Sequence, residues 1–222
     1  MAMQAASTEP LAETRVEAVA PERTLLVASL LSMSGGFLDA FTWLSLGVFA
    51  SSQTGNVVFL GIHAEFGQWH RALHHALPLV AFVLGAAVAV RSRAPLRCLA
   101  GEIVCLAAAL LLFHHVPDQI VILVISFGVA LQSASFRRIG DLNYLSVAVT
   151  GNMLRAIDQS FAASDRDTAR GTATMLALCL MFLMGAALAG CVTRWLGTWS
   201  LALPIALSAC VLWLCRHPGH RH

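Results

Sequence analysis

Six long runs of apolar residues, near 24–47, 76–92, 97–115, 118–136, 171–193 and 198–215, dominate this sequence. Each is long enough as a helix to cross about 30 Å of hydrocarbon. Inside a bilayer every backbone N–H and C=O must be bonded within its own segment, so such runs fold as transmembrane helices. Composition agrees: of 222 residues 58% are apolar and 12% charged, where soluble chains are about half apolar and about a quarter charged. That balance excludes a soluble enzyme and a disordered chain. It also excludes a nucleic-acid partner, despite a formal net charge of +2. The reading is an all-α, polytopic membrane protein whose first partner is the lipid bilayer.

Charge then sets the topology. All 14 basic residues are arginine, and basic residues near span ends favour the cytoplasm. With six spans and both termini inside, only Arg71 and Arg194 fall outside and the other 12 obey the rule. Residues 1–23, with four Glu and two Arg, lack the basic start and short apolar core of a secretory signal and are expected to be a disordered cytoplasmic tail. Residues 24–215 form one transmembrane domain, and 216–222 a short cytoplasmic C-terminal tail. Trp69, Trp195 and Trp199 then lie at the outer boundary, where amphipathic aromatics settle.

Two shorter apolar stretches, about 54–66 and 150–163, open with the same tripeptide, Thr54-Gly55-Asn56 and Thr150-Gly151-Asn152. About twelve apolar residues as a helix rise ~18 Å, half a membrane. Counting both as full spans gives eight crossings and moves six arginines outside, so the reading treats them as re-entrant half-helices. They also mark a repeat. The two motifs stand 96 residues apart, and Phe82-Val83-Leu84-Gly85-Ala86-Ala87-Val88-Ala89 matches Phe182-Leu183-Met184-Gly185-Ala186-Ala187-Leu188-Ala189 at five of eight positions. Gly36-Phe37-Leu38-Asp39-Ala40 lies on Ala130-Leu131-Gln132-Ser133-Ala134 in the same order. Repeat 1 (about 24–115) and repeat 2 (about 118–215) each hold three spans. An odd number inverts the second copy, as in many transporters.

The block Gly36-Phe37-Leu38-Asp39-Ala40 followed by Thr54-Gly55-Asn56 resembles the signature of the YoaK family of uncharacterised bacterial multi-span inner-membrane proteins. Gly128-Val129-Ala130-Leu131-Gln132-Ser133-Ala134 with Arg137-Arg138 resembles that family's second half, and the resemblance covers roughly residues 24–215. The family pattern carries Gly-x-Gln-Asn there, whereas this chain has Ala130 and Ser133 at the Gly and Asn positions. The resemblance implies a multi-pass protein of the bacterial inner membrane and brings no established activity.

Among residues that can carry chemistry, Asp39 comes first, because a carboxyl within a span needs a cavity, a partner or a proton. Two roles stand open for it: a proton- or cation-coupling group, or a structural bond to the Thr-Gly-Asn turn. Under the coupling role, Asp39→Asn keeps the fold and loses gradient-linked movement. The paired motifs come second. Inversion brings both half-helix N-termini near the midplane, where free N–H groups and dipole ends favour an anionic or polar solute. Gln132 and Ser133, beside the position matching Asp39, are candidates for the same pathway. Glu102 is expected to snorkel or pair near Arg97 at the cytoplasmic boundary.

His70 and His74 have the i, i+4 spacing of a metal pair, without a supporting carboxylate or cysteine pattern. The six cysteines read as small packing residues. Small residues recur every fourth position at Ala81, Gly85 and Ala89 and at Gly185 and Ala189; they fit an internal seam or a homodimer face equally well. No nucleophile elbow, phosphate loop or metalloprotease motif occurs, so no enzyme activity and no cofactor is expected. The functional expectation is a small-solute transporter or channel with its path between the repeats. The other class is a non-transporting assembly or sensor protein with structural intramembrane polar groups.

Overall fold

The computed structural model describes residues 21–140, 142–162 and 166–217. Most of the expected N-terminal tail (1–20) and the end of the expected C-terminal tail (218–222) lie outside the described residues. Within the expected tail, Pro21–Arg23 form a 3₁₀ turn. The α-helices follow in order: α1 Leu25–Leu46, α2 Gln53–Glu65, α3 Trp69–Ser92, α4 Pro95–Leu112, α5 Asp118–Ser135, α6 Val149–Ala162, α7 Arg166–Leu196 and α8 Ala202–Arg216.

Local sequence explains the ends. Thr24 caps α1 by accepting from Val27 N (3.5 Å), and Gly47 closes it in the left-handed conformation (φ 70°). Pro95 opens α4 at its first turn, where a missing N–H costs nothing. Two spans are longer than their apolar runs. α3 starts at Trp69 rather than near 76, and α7 runs past both ends of 171–193, because polar residues at a span's ends keep helical bonding once outside the hydrocarbon. Between α5 and α6 lies a small antiparallel hairpin that apolar periodicity did not announce, β1 Arg138–Ile139 with β2 Leu142–Asn143.

Five helical stretches of the described residues are long and apolar enough to cross a membrane: Leu25–Leu46, Trp69–Ser92, Pro95–Leu112, Asp118–Ser135 and Thr168–Arg216. The last contains both α7 and α8, and the chain reverses between them. Leu201, just before α8, packs with Phe41 and Phe113. Cys215, near the end of α8, packs with Val27 and Leu99 at the opposite end of the bundle. Gly197 makes the reversal with φ 54°, a left-handed conformation that costs a glycine little.

α1 and α5 are the two most buried of these stretches. Phe37, Leu38 and Phe41 of α1 meet Leu106 of α4, Phe113 just after it, and Ile122, Ile125 and Val129 of α5 in one cluster. The flanking helices turn large apolar side chains outward, among them Val83, Leu84 and Val88 on α3 and Leu180, Leu183 and Met184 on α7. In water such faces would aggregate; against lipid tails they are at home.

Packing is paired. α1 lies along α7 and α5 along α3, while α2 leans on α3 and α6 on α7. The small residues serve these seams from inside. Ala81, Gly85 and Ala89 are buried, and Gly85 faces the Phe127 carbonyl and Ala130 of α5. Where α1 crosses α7 the contact is reciprocal: Gly36 abuts the Phe182 carbonyl and Gly185 abuts the Met33 carbonyl.

Candidate functional site

After α1 the chain turns back on itself before α2 begins, and Asp39 holds the return. Its Oδ1 accepts from Ser51 N (2.6 Å) and Ser52 N (3.3 Å). Its Oδ2 accepts from the hydroxyls of Ser51 (2.8 Å) and Ser52. A carboxylate accepts at both oxygens, so four donors suit it well. Thr42, one turn on, adds a hydroxyl that accepts from Ala50 N (3.0 Å).

The two Thr-Gly-Asn segments are held by one device used twice. Asn56 Oδ1 accepts from Phe49 N (3.1 Å) while its Nδ2 donates to Phe49 O (2.7 Å). Asn152 Oδ1 accepts from Leu145 N (3.1 Å) and its Nδ2 donates to Leu145 O (2.8 Å). Each asparagine thus clamps the peptide seven residues upstream, satisfying backbone groups that an irregular loop would otherwise leave unpaired. The glycines differ. A side chain at Gly55 would strike the Phe49 ring at 2.7 Å, whereas at Gly151 the nearest neighbour is Ala148 at an ordinary 3.8 Å.

Between the two helix starts lies a cavity of about 520 Å³. Ser52 and Thr54 come to it from the first segment, Thr150 from the second, Phe82 from α3 and Ser133 from α5. Arg137, just beyond α5, completes the wall. Asp39, Asn56, Asn152, Gly55, Gly151 and Gln132 stand behind this wall rather than in it. Gln132 is fully buried and its Nε2 donates to Leu31 O (3.2 Å). Ser133 lines the cavity with its Oγ donating to Val129 O (2.7 Å). The structure therefore brings Thr54, Thr150 and Ser133 together around one space and assigns the other singled-out residues to the framework behind it.

Two groups carry more than their sequence reading gave them. Arg137 entered as a topology marker and as part of the family resemblance, yet it also lines the cavity; its signal was its place four residues after Ser133. Glu102 does not pair near Arg97. It is fully buried, with Oε2 accepting from Ser208 Oγ (3.1 Å) of α8 and Oε1 without a partner among the described residues. The histidines regroup as well. His74 Nε2 donates to Leu46 O (2.8 Å), and His75 stacks on His63 with centroids 5.4 Å apart. No group of three or more metal-ligating residues forms among the described residues. No disulfide joins the six cysteines.

A family described as "Protein of unknown function (DUF1275)" matches residues 27–214. The chain belongs to this family. The matched stretch reaches from α1 into α8 and so encloses the whole cavity and the framework behind it. The chain is also 28% identical over 155 residues to the UPF0700 transmembrane protein YoaK of Bacillus subtilis (strain 168), covering 64% of this chain and 68% of that one. No solved structure matches. Membership, the transmembrane relative and the apolar helices together make this a multi-pass integral membrane protein.

Proposed function

We propose that this protein is a small-solute transporter or channel of the bacterial inner membrane, with its path between two inverted three-helix repeats. The single observation that carries the reading is the cavity shared by the two Thr-Gly-Asn segments. Two helix N-termini face it and Arg137 adds a guanidinium, so the solute class is polar or anionic. Counting α7 and α8 as separate crossings gives six spans. The inverted repeat is supported by the twin asparagine clamps and by the cross-pairing of α1 with α7 and α5 with α3. No catalytic role is assigned to any residue.

One observation favours the other class, a non-transporting assembly or sensor protein. Asp39, Asn56 and Asn152 direct their hydrogen bonds to nearby loop residues, as purely structural groups do. Flux separates the two. Proteoliposomes are to be screened with labelled small anions and neutral polar solutes. The expected result is uptake above empty liposomes that Arg137→Gln lowers about ten-fold, the loss of one strong charge-assisted contact. The transport reading fails if no solute moves and cysteines placed at 54 and 150 resist small water-soluble thiol reagents from both sides.

Orientation has its own test, with the native cysteines replaced. An impermeant thiol label added outside is expected to reach cysteines at 69 or 196 and not at 93 or 166. Outside labelling at 93 would overturn the six-span arrangement with cytoplasmic termini.

A further inference from the structure

A second, smaller pocket of about 210 Å³ lies where the hairpin meets the starts of α1 and α4. Among the described residues three arginines line it, Arg23, Arg137 and Arg138, with one acidic residue, Glu22. They come from three chain segments: the 3₁₀ turn before α1, the link after α5, and β1. None of the three arginines has an ion-pair partner among the described residues. Like charges close together repel one another, and a bound anion relieves that.

Backbone bonds hold the pocket's frame. Gly140 N donates to Arg23 O (3.0 Å), tying the turn before α1 to the hairpin, and Tyr144 N donates to Arg137 O (2.9 Å), closing the hairpin's base. Pro95 and Phe136 supply rigid apolar walls. Ser135, also in the lining, has a buried hydroxyl with no hydrogen-bond partner among the described residues. Among the described residues, a buried hydroxyl without a partner thus stands beside three arginines without an ion pair, an unfilled donor set.

We propose that this pocket binds a phosphate group. Each guanidinium presents a planar fork of N–H donors that matches two oxygens, so several forks suit a tetrahedral group with three or four oxygens better than a planar carboxylate with two. The volume leaves room for a phosphate group with some hydration. The group has two sources, free inorganic phosphate or the headgroup of an anionic lipid, since basic pockets between spans take lipid headgroups. Arg137 also lines the larger cavity, but the inference does not require transport.

The test is binding to the purified full chain. In detergent, inorganic phosphate is to be titrated against chloride at equal ionic strength, with the melting temperature as readout. In nanodiscs, retention of phosphatidylglycerol is compared with that of phosphatidylcholine by native mass spectrometry, with and without added phosphate. Binding in the first arm identifies a free anion; retention of phosphatidylglycerol that phosphate does not displace identifies the lipid headgroup. In whichever arm binds, the double variant Arg23→Gln/Arg138→Gln is expected to weaken it about ten-fold or more, two charge-assisted contacts being lost. Glu22→Gln is expected to tighten it by removing the opposing charge. Melting in chloride serves as the fold control. Binding unchanged in both variants, or no binding of either probe to the wild-type chain, overturns the proposal.

Discussion

Asp39→Ala is expected to lower the stability of this protein by roughly 3–5 kcal/mol, since it strips the acceptor from four donors in a buried site. Ser51 and Ser52 hydroxyls can turn elsewhere, but their backbone N–H groups cannot. Asp39→Asn is also expected to destabilise, by about 2–3 kcal/mol, because its NH₂ must point at a donor pair where Oδ2 or Oδ1 now accepts. That reverses the expectation that the asparagine variant keeps the fold and loses only coupling. The change reaches the cavity as well, because Ser52 and Thr54 form its wall on the segment that Asp39 holds. Thermal melting in detergent checks both variants. If Asp39→Asn melts with the wild type while gradient-dependent flux disappears, the four-donor cage is not what holds the loop and the coupling role returns.

Closing the α1–α7 crossing with a methyl group is expected to be comparably damaging. Gly36→Ala places a carbon against the Phe182 carbonyl, and Gly185→Ala places one against the Met33 carbonyl. Backbone oxygens cannot rotate away as a flexible side chain would, so the helices must separate along a seam that buries Phe37. About 3 kcal/mol per substitution is expected. Gly61→Ala and Gly190→Ala are the matched controls. Nothing lies within 4 Å of a side chain at either place, and the gain in helix propensity of ~1 kcal/mol favours the variant. The pattern to look for in detergent melts is a fall for the first pair and no fall for the second. Equal behaviour of all four would mean that α1 and α7 do not approach this closely.

Much of this architecture was readable before any coordinates. Hydrocarbon thickness and backbone satisfaction leave an apolar run of some twenty residues one stable solution, a helix, so α1, α3, α4, α5, α7 and α8 could be placed from apolar content alone. The two Thr-Gly-Asn stretches were legible as half-length helices for the same reason: α2 and α6 begin at Gln53 and Val149, each one residue before the threonine. Charge arithmetic went further, to a six-span orientation, which external labelling tests.

What the sequence could not determine is where each polar side chain points. Asp39 stood open between a coupling group and a structural bond, and Asn56 and Asn152 read as pathway groups, because polar residues within a membrane need partners and several partners satisfy that need equally. Only the path of the loops decided that these groups face Ser51, Phe49 and Leu145 rather than the cavity. The small-residue stripes could have faced inward or outward, and helix pairing turned them inward. Glu102 was placed beside Arg97 because neighbours along a helix are visible in sequence; its real neighbour, Ser208, is 106 residues away. Arg137 joined both the cavity and the arginine pocket through a hairpin too short to announce itself. Periodicity and apolar content fix what a segment becomes, since those depend on nearby residues. The contacts that form a site depend on distant ones, and packing alone brings them together.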